Sequence, residues 1–228
     1  MRKKTDIFIV GIGEIAEMSQ DYFMVDSPYN VVAFSAEQPY IKTESLLGLP
    51  VVVLEEIERD FPPQQYQAFV AVGYDKLNRG RKNLYLACKA KGYSLVSYVS
   101  SKAFIGSNVD IGENCLILEH NVLQRNVRIG NNVTLWSGNH VGHRSVIHDN
   151  CFLSSHIAIS GYCSIGENTF MGINCCTADH VTVSPDCLIA AGAVVLADTQ
   201  QGKVYRGNPA QAARITSYSA FGIKPEDE

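Results

Sequence analysis

Histidine is the side chain whose ordinary titration range falls near neutral pH, so it is the natural candidate for moving protons in an enzyme. The chain has six: His120, His140, His143, His148, His156 and His180, all in its second half. His143 stands in the run Gly142-His143-Arg144-Ser145. The seven cysteines offer less. Their number is odd and no CxxC pair occurs, so neither a disulfide framework nor a metal site is indicated. A third feature is Gly11-Ile12-Gly13-Glu14-Ile15-Ala16, a G-x-G-x-x-A turn placed after a strand-like apolar run. Glycines at this spacing let backbone approach a phosphate, and the N-terminus of a following helix favours negative charge.

A chain of 228 residues suits one large domain or two small ones. Hydrophobic residues at 46% and charged residues at 18% allow a packed core. The net charge of −4 gives no general attraction to nucleic acid or anionic lipid, so neither is expected as a partner. No apolar run reaches the roughly 20 residues needed to span a bilayer. The basic start, Met1-Arg2-Lys3-Lys4, leads into Asp6 and a short β-like run rather than a signal-peptide core. A cytoplasmic location is the expectation.

The elements that must position His143 come from a repeat. From Ile105 to Val195 the sequence divides into hexads without an insertion, and every hexad but the one at Thr177 opens on a large apolar residue. The fifth position is small, and five cysteines (Cys115, Cys151, Cys163, Cys175, Cys187) fall in it, where they read as buried packing residues. One large and one small inward position per six residues describes short strands meeting at tight corners. Three strands per turn give an eighteen-residue coil. Asn114, Asn132, Asn150, Asn168 and Asp186 recur at that longer interval and suit the left-handed conformation of one corner. A little over five coils at the usual strand spacing make a prism about 25 Å tall. Asn121 and Asn139 share the inward column and are expected to satisfy each other as an internal ladder. Within its hexad His143 is third, at a corner that faces a cleft. His140 is its nearest rival, His120 and His156 share one edge, and His148 and His180 read as solvated corner residues.

The first hundred residues alternate strands (Thr5–Val10, Val31–Phe34, Val51–Val53, Ala68–Val72) with helices (to about Phe23, and Arg79–Lys91), as in a small parallel sheet flanked by helices. Ser35-Ala36 occupy the end of the second strand, where a nicotinamide-dinucleotide fold carries an acid, so another kind of nucleotide fits better. Residues 1–100 thus form one domain and 101–218 the coil with its cap. Residues 219–228 read as a polar tail. Pro209 to about Tyr218 is expected to be a terminal helix covering the last coil, whose edge would otherwise be open.

These features together resemble the bacterial nucleotide-sugar acyltransferases, which join a small Rossmann-like domain to a left-handed parallel β-helix. The group includes the acetyltransferases of the bacillosamine pathway and the related sialic-acid O-acetyltransferases. The resemblance is carried by Gly142–Ile147, Phe170–Asn174, Ala190–Ala193 and Gly207–Ala210. It implies that the first domain holds a nucleotide-linked amino sugar, that the coil binds acetyl-CoA, that no metal is needed, and that the chain forms a homotrimer with sites between subunits. It also implies His143 as the catalytic base. Gly161, Ile173, Ala191, Gly192 and Gly207 match acyl-CoA positions. Gly11, Gly13, Glu14, Ile15, Ser35, Gly73 and Tyr74 match the sugar-nucleotide site. Where the relatives carry a carboxylate directly after the base, this chain has Arg144. A histidine nine residues beyond the base is Phe152 here, and an acidic pair is Ser35-Ala36.

The expected reaction is direct transfer of an acetyl group from its thioester to an amine, with His143 taking the proton. Lys203 and Arg206 are candidates for CoA phosphates. O-acetylation of a sialic-acid-type sugar is the second reading. A γ-type carbonic anhydrase, which needs three histidines on zinc, and a non-catalytic scaffold are further ones.

Overall fold

The computed structural model describes residues 5–224. The basic start and the last four residues of the polar tail lie outside the described residues. The chain divides into two units. One takes the chain to Gly73 together with Arg81–Tyr98; the other takes Tyr74–Gly80 together with the chain from Val99 onward.

The first unit is built on β1 (Thr5–Val10), α1 (Glu14–Val25), β2 (Tyr29–Ala36), β3 (Ser45–Leu46), β4 (Leu49–Val53), β5 (Gln67–Val70) and α2 (Arg79–Ala90). The sheet order is β3-β4-β2-β1-β5. β1, β2, β4 and β5 are parallel, as their near-continuous apolar sequences imply. β3 is an addition that the sequence did not announce: a two-residue strand that hairpins against β4. Phe8, Val10, Ala33, Ala68 and Val70 pack with Leu54, Ile57, Cys88, Tyr93 and Leu95 as the core, where Tyr93 meets Phe8 edge-on at 4.9 Å.

The second unit is the coil. Two-residue strands recur every six residues from Phe104–Ile105 to Val194–Val195, each pairing in parallel with the strand eighteen residues away. They form three faces of a left-handed parallel β-helix. The first residues of the hexads line the interior and are buried from Ile117 onward. From Asn108 to Gly192 the left-handed conformation falls on the fourth residue of the hexads at all three corners, with φ of 55–63° wherever the residue is not glycine. The corner ladder is present: Asn114 donates to Asn132 and Asn132 to Asn150 at 2.8 Å, and Asn168 donates to Asp186 at 3.1 Å. At the other corners the same strained conformation is held by His120, His156, Arg144, Tyr162 and His180, each at a cost of about 1–2 kcal/mol that asparagine largely avoids.

The fifth-position column does more than fill space. The thiols of Cys115, Cys151 and Cys163 each donate at 3.1 Å to a backbone carbonyl fifteen residues ahead, at the corner of the coil above. Ser145 does the same at 2.8 Å. Small donors recur there because corner carbonyls leave the strand ladder and need partners. Burial pushes the Cys175 thiol up to about 12, with its neighbour Cys176 adding to the shift, and burial does the same to Cys88. These two are poor nucleophiles near neutral pH.

Two expectations for the coil need correction. Asn121 and Asn139 do not bond to each other. Asn121 Nδ2 donates to the carbonyls of Leu118 and Trp136, and Asn139 Nδ2 to that of Trp136, while Asn139 Oδ1 accepts from the Ile157 amide. Pro209 to Tyr218 is not a helix. Lys203–Arg206 continues one face in parallel with Leu188–Ile189, then Gln211–Thr216 returns antiparallel, and only Ser217–Ala220 is helical. Strand pairing satisfies the edge that a helix would have left with open backbone groups.

Residues Tyr74–Gly80, though early in the chain, pack on the coil. The Tyr74 ring sits within 5.0 Å of Phe152 and 4.7 Å of Phe170. Lys76, Leu77 and Asn78 are successive left-handed residues, and buried Asn78 donates to the Asn168 carbonyl at 3.0 Å. Arg79 pairs with Asp186 at 3.0 Å, both side chains nearly buried. Asp186 also receives Gln201 and the Tyr218 hydroxyl.

Candidate functional site

His143 is exposed at the corner between the strand His140–Val141 and the strand Val146–Ile147. Its backbone N–H donates to Gln124 Oε1 at 2.8 Å, and its ring Nδ1 lies 3.1 Å from the same oxygen. Gln124 belongs to the coil below, nineteen residues back. Above the ring is Gly161. A Cβ at that position would lie 2.7 Å from His143 Cε1 and 2.9 Å from Nε2. A side chain at 161 would have to push the imidazole aside, so glycine leaves the ring its place. The Tyr162 ring meets His143 edge-on at 5.1 Å and stacks on His180 at 4.8 Å. The Arg144 guanidinium lies over the Tyr162 ring, 5.9 Å from its centroid. Arg144, Tyr162 and His180 are all left-handed, so backbone strain accumulates at this edge, as it does at many functional sites.

The amides nearest the ring are engaged. That of His143 goes to Gln124, that of Gly161 to Asp179 Oδ1 at 2.8 Å, and that of Tyr162 to the His143 carbonyl at 2.9 Å. A donor for a developing oxyanion has to come from elsewhere.

Apart from Gly161, the coil residues matched to acyl-CoA do not share this edge. Ile173, Ala191 and Gly192 lie at the corner that follows Phe170–Met171 and Leu188–Ile189, one face away from His143. They are exposed, and Gly192 N–H donates to the Ile173 carbonyl at 2.9 Å. Within one chain, then, Gly161 adjoins His143, while Ile173 and Ala191 border a different edge and not one common groove. His140, His120, His148, His156 and His180 are exposed, and none of the five approaches the His143 ring directly as Gln124 does. Gly207 is exposed beyond Lys203–Arg206. Arg206 and Arg214, with Pro209, Gln211 and Ile215, line an open concavity of about 530 Å³. Arg214 carried no signal in the sequence, because its place in this concavity with Arg206 depends on the antiparallel return.

In the first unit the structure gathers Gly11, Gly13, Glu14, Ile15, Ser35 and Gly73 at the C-terminal end of the sheet, where open parallel sheets bind ligands. The two glycines of the turn differ. Gly11 has φ +135°, and a Cβ there would lie 2.4 Å from the Ala71 carbonyl oxygen, so packing alone demands glycine. Gly13 is open, with nothing within 4 Å of its missing Cβ. Gly73 abuts Ile15, and its carbonyl accepts from buried Arg81 at 3.1 Å. Ser35 is fully buried and its hydroxyl meets no partner among the described residues. Tyr74 belongs with the coil. Phe152 is buried against Tyr74 and Trp136 and serves packing.

The acetyltransferase domain of PglB from Neisseria gonorrhoeae, in complex with acetyl coenzyme A, superposes with a TM-score of 0.82 at 22% identity, over 92% of this chain and all of that one. PerB from Caulobacter crescentus, in complex with CoA and GDP-perosamine, superposes with a TM-score of 0.80 at 25% identity, over 91% of this chain and 97% of that one. The chain has the fold of the hexapeptide-repeat sugar acetyltransferases. A third match is perosamine N-acetyltransferase from Caulobacter crescentus with one histidine replaced by asparagine, also holding CoA and GDP-perosamine, at TM-score 0.81, 25% identity, and 91% and 96% coverage. No protein-family profile and no curated protein sequence matches this chain. Among the described residues, no helix is long and apolar enough to cross a membrane, and no three His, Cys, Asp or Glu side chains are grouped to hold a metal ion.

Proposed function

We propose that this chain is an acetyl-CoA-dependent N-acetyltransferase acting on a nucleotide-linked amino sugar, with His143 as general base. The observation that carries this reading is the corner at His143: an exposed imidazole with Nδ1 against Gln124 and its ring seated beside Gly161, on the coil fold that the solved relatives use with acetyl-CoA and GDP-perosamine. An amine attacking the thioester must lose a proton as the new bond forms. A positioned histidine that takes it typically contributes about 10²- to 10⁴-fold.

In this reading Gly161 lets the acyl group approach His143, and Ile173, Ala191, Gly192 and Gly207 line the acetyl-CoA path. Because Ile173 and Ala191 lie on a different edge from His143, one chain supplies only part of the site. A homotrimer with His143 of one protomer facing the Ile173–Ala191 edge of the next completes it and supplies the missing oxyanion donor. Arg206 and Arg214 suit the CoA phosphates. Gly13, Glu14, Ile15 and Gly73 hold the nucleotide sugar, with Gly11 and Ser35 beneath them. A cytoplasmic location follows from these substrates.

The reading is tested by offering UDP-, dTDP- and GDP-linked amino sugars, and the corresponding free sugars, with acetyl-CoA and reading product masses. Acetylation of a nucleotide-linked sugar is the expected result. Acetylation of free sugars alone would remove the role given to the first unit. Gly161→Ala provides a local check. Its methyl displaces the His143 ring, and misplacing a reacting group by about 1 Å costs roughly 100-fold in kcat, with the fold and the melting temperature unchanged.

A further inference from the structure

We propose that Gln124 is the positioning residue of His143, holding the imidazole in its Nδ1–H form so that Nε2 is the atom that accepts the proton. This rests on the acetyltransferase reading for its meaning in catalysis, but not for its geometry. The His143 backbone N–H is a donor in every protonation state, so the Gln124 atom 2.8 Å from it is the amide oxygen. That oxygen only accepts. Nδ1, 3.1 Å from it, must therefore carry hydrogen. In the neutral ring the lone pair is then on Nε2, on the side facing Gly161.

The need for this arrangement is visible in the coil. At other corners the third residue of the hexad above accepts the amide below it, as Asn131 does for Glu113, Asp149 for Asn131 and Asp179 for Gly161. Above His143 that third residue is Gly161, which has no side chain to offer. Gln124 meets the amide from beneath instead, and the same oxygen orients the ring. Arg144, the next residue in the chain, has no acceptor. The orienting group is thus a neutral amide from the preceding coil. Tyr162 meets the ring edge-on, Arg144 and His180 lie against Tyr162, Asp179 accepts the Gly161 amide, Arg125 follows Gln124 in the chain, and the ring's own Nδ1 contact is with Gln124.

Two-bond ¹H–¹⁵N correlation spectra of the intact protein above the titration range test this directly, with the His143 signals assigned by their loss in His143→Asn. The expected native spectrum has a protonated Nδ1 and an unprotonated Nε2. In Gln124→Ala the ring reverts to the Nε2–H form that free histidine favours, and kcat falls about tenfold or more with KM little changed. Gln124→Glu keeps the acceptor and adds charge, so it restores the Nδ1–H form and moves the acidic limb of kcat/KM to higher pH by about one unit. A native Nε2–H ring, or a spectrum unchanged in Gln124→Ala, overturns the proposal. The expected tautomer shift with activity unaffected by His143→Asn overturns instead the assignment of the base.

Discussion

Replacing His143 with alanine is expected to lower kcat for acetyl transfer by about 10²- to 10⁴-fold while leaving KM for acetyl-CoA within a few-fold. The side chain is exposed at a corner, its Nδ1 is held by Gln124, and it closes on Gly161 rather than on bulk side chains. Its removal deletes no core contact and breaks no strand pairing, since the corner amide of position 143 still meets Gln124. Melting should therefore be unchanged. Steady-state rates and a melting curve on the same preparation check both halves. An alanine variant that retains full kcat would remove His143 from the mechanism, whatever the fate of the fold.

The second large effect is structural. Asp186→Ala is expected to destabilise the coil unit by about 3–5 kcal/mol, because it leaves a nearly buried guanidinium without its carboxylate. Arg79 and Asp186 are 12% and 9% exposed and 3.0 Å apart. The same carboxylate ends the asparagine ladder at Asn168 and receives Gln201 and Tyr218. Asp186→Asn keeps the shape and one acceptor oxygen but also leaves the guanidinium without its carboxylate, so it should cost only somewhat less. Denaturant midpoints of the two variants give the comparison. A loss below 1 kcal/mol in the alanine variant would show that Tyr74–Gly80 is not pinned through this pair.

The parts of the molecule that were legible from sequence are those set by periodicity. A hexad with one large and one small inward residue fixes strand length, face and corner, so the coil and the position of His143 follow without any long-range knowledge. Gln124 was not legible. It is nineteen residues from His143, off the eighteen-residue register, and it becomes relevant only because Gly161 leaves an amide without its usual cap. Asn121 and Asn139 were misread for a related reason: their register is right for a ladder, but corner carbonyls within reach compete for the same donors. The run Gln211–Thr216 carries helix-forming residues, yet it pairs as a strand because the exposed edge beside Lys203–Arg206 needs partners more than the segment needs its local preference. In the first unit the G-x-G-x-x-A pattern did mark the turn at the end of β1. It could not show that Gly11 answers to the Ala71 carbonyl while Gly13 alone stands open.

The most direct test of the central claim is the chemistry of the bond that the enzyme makes. The protein, acetyl-CoA and a nucleotide-linked amino sugar are incubated together, and the product mass is read before and after mild alkaline treatment. The account predicts one added acetyl group that survives the treatment, as an amide does. An acetyl group lost in alkali marks an ester and an O-transferase; no transfer to any nucleotide-linked amino sugar contradicts the account altogether.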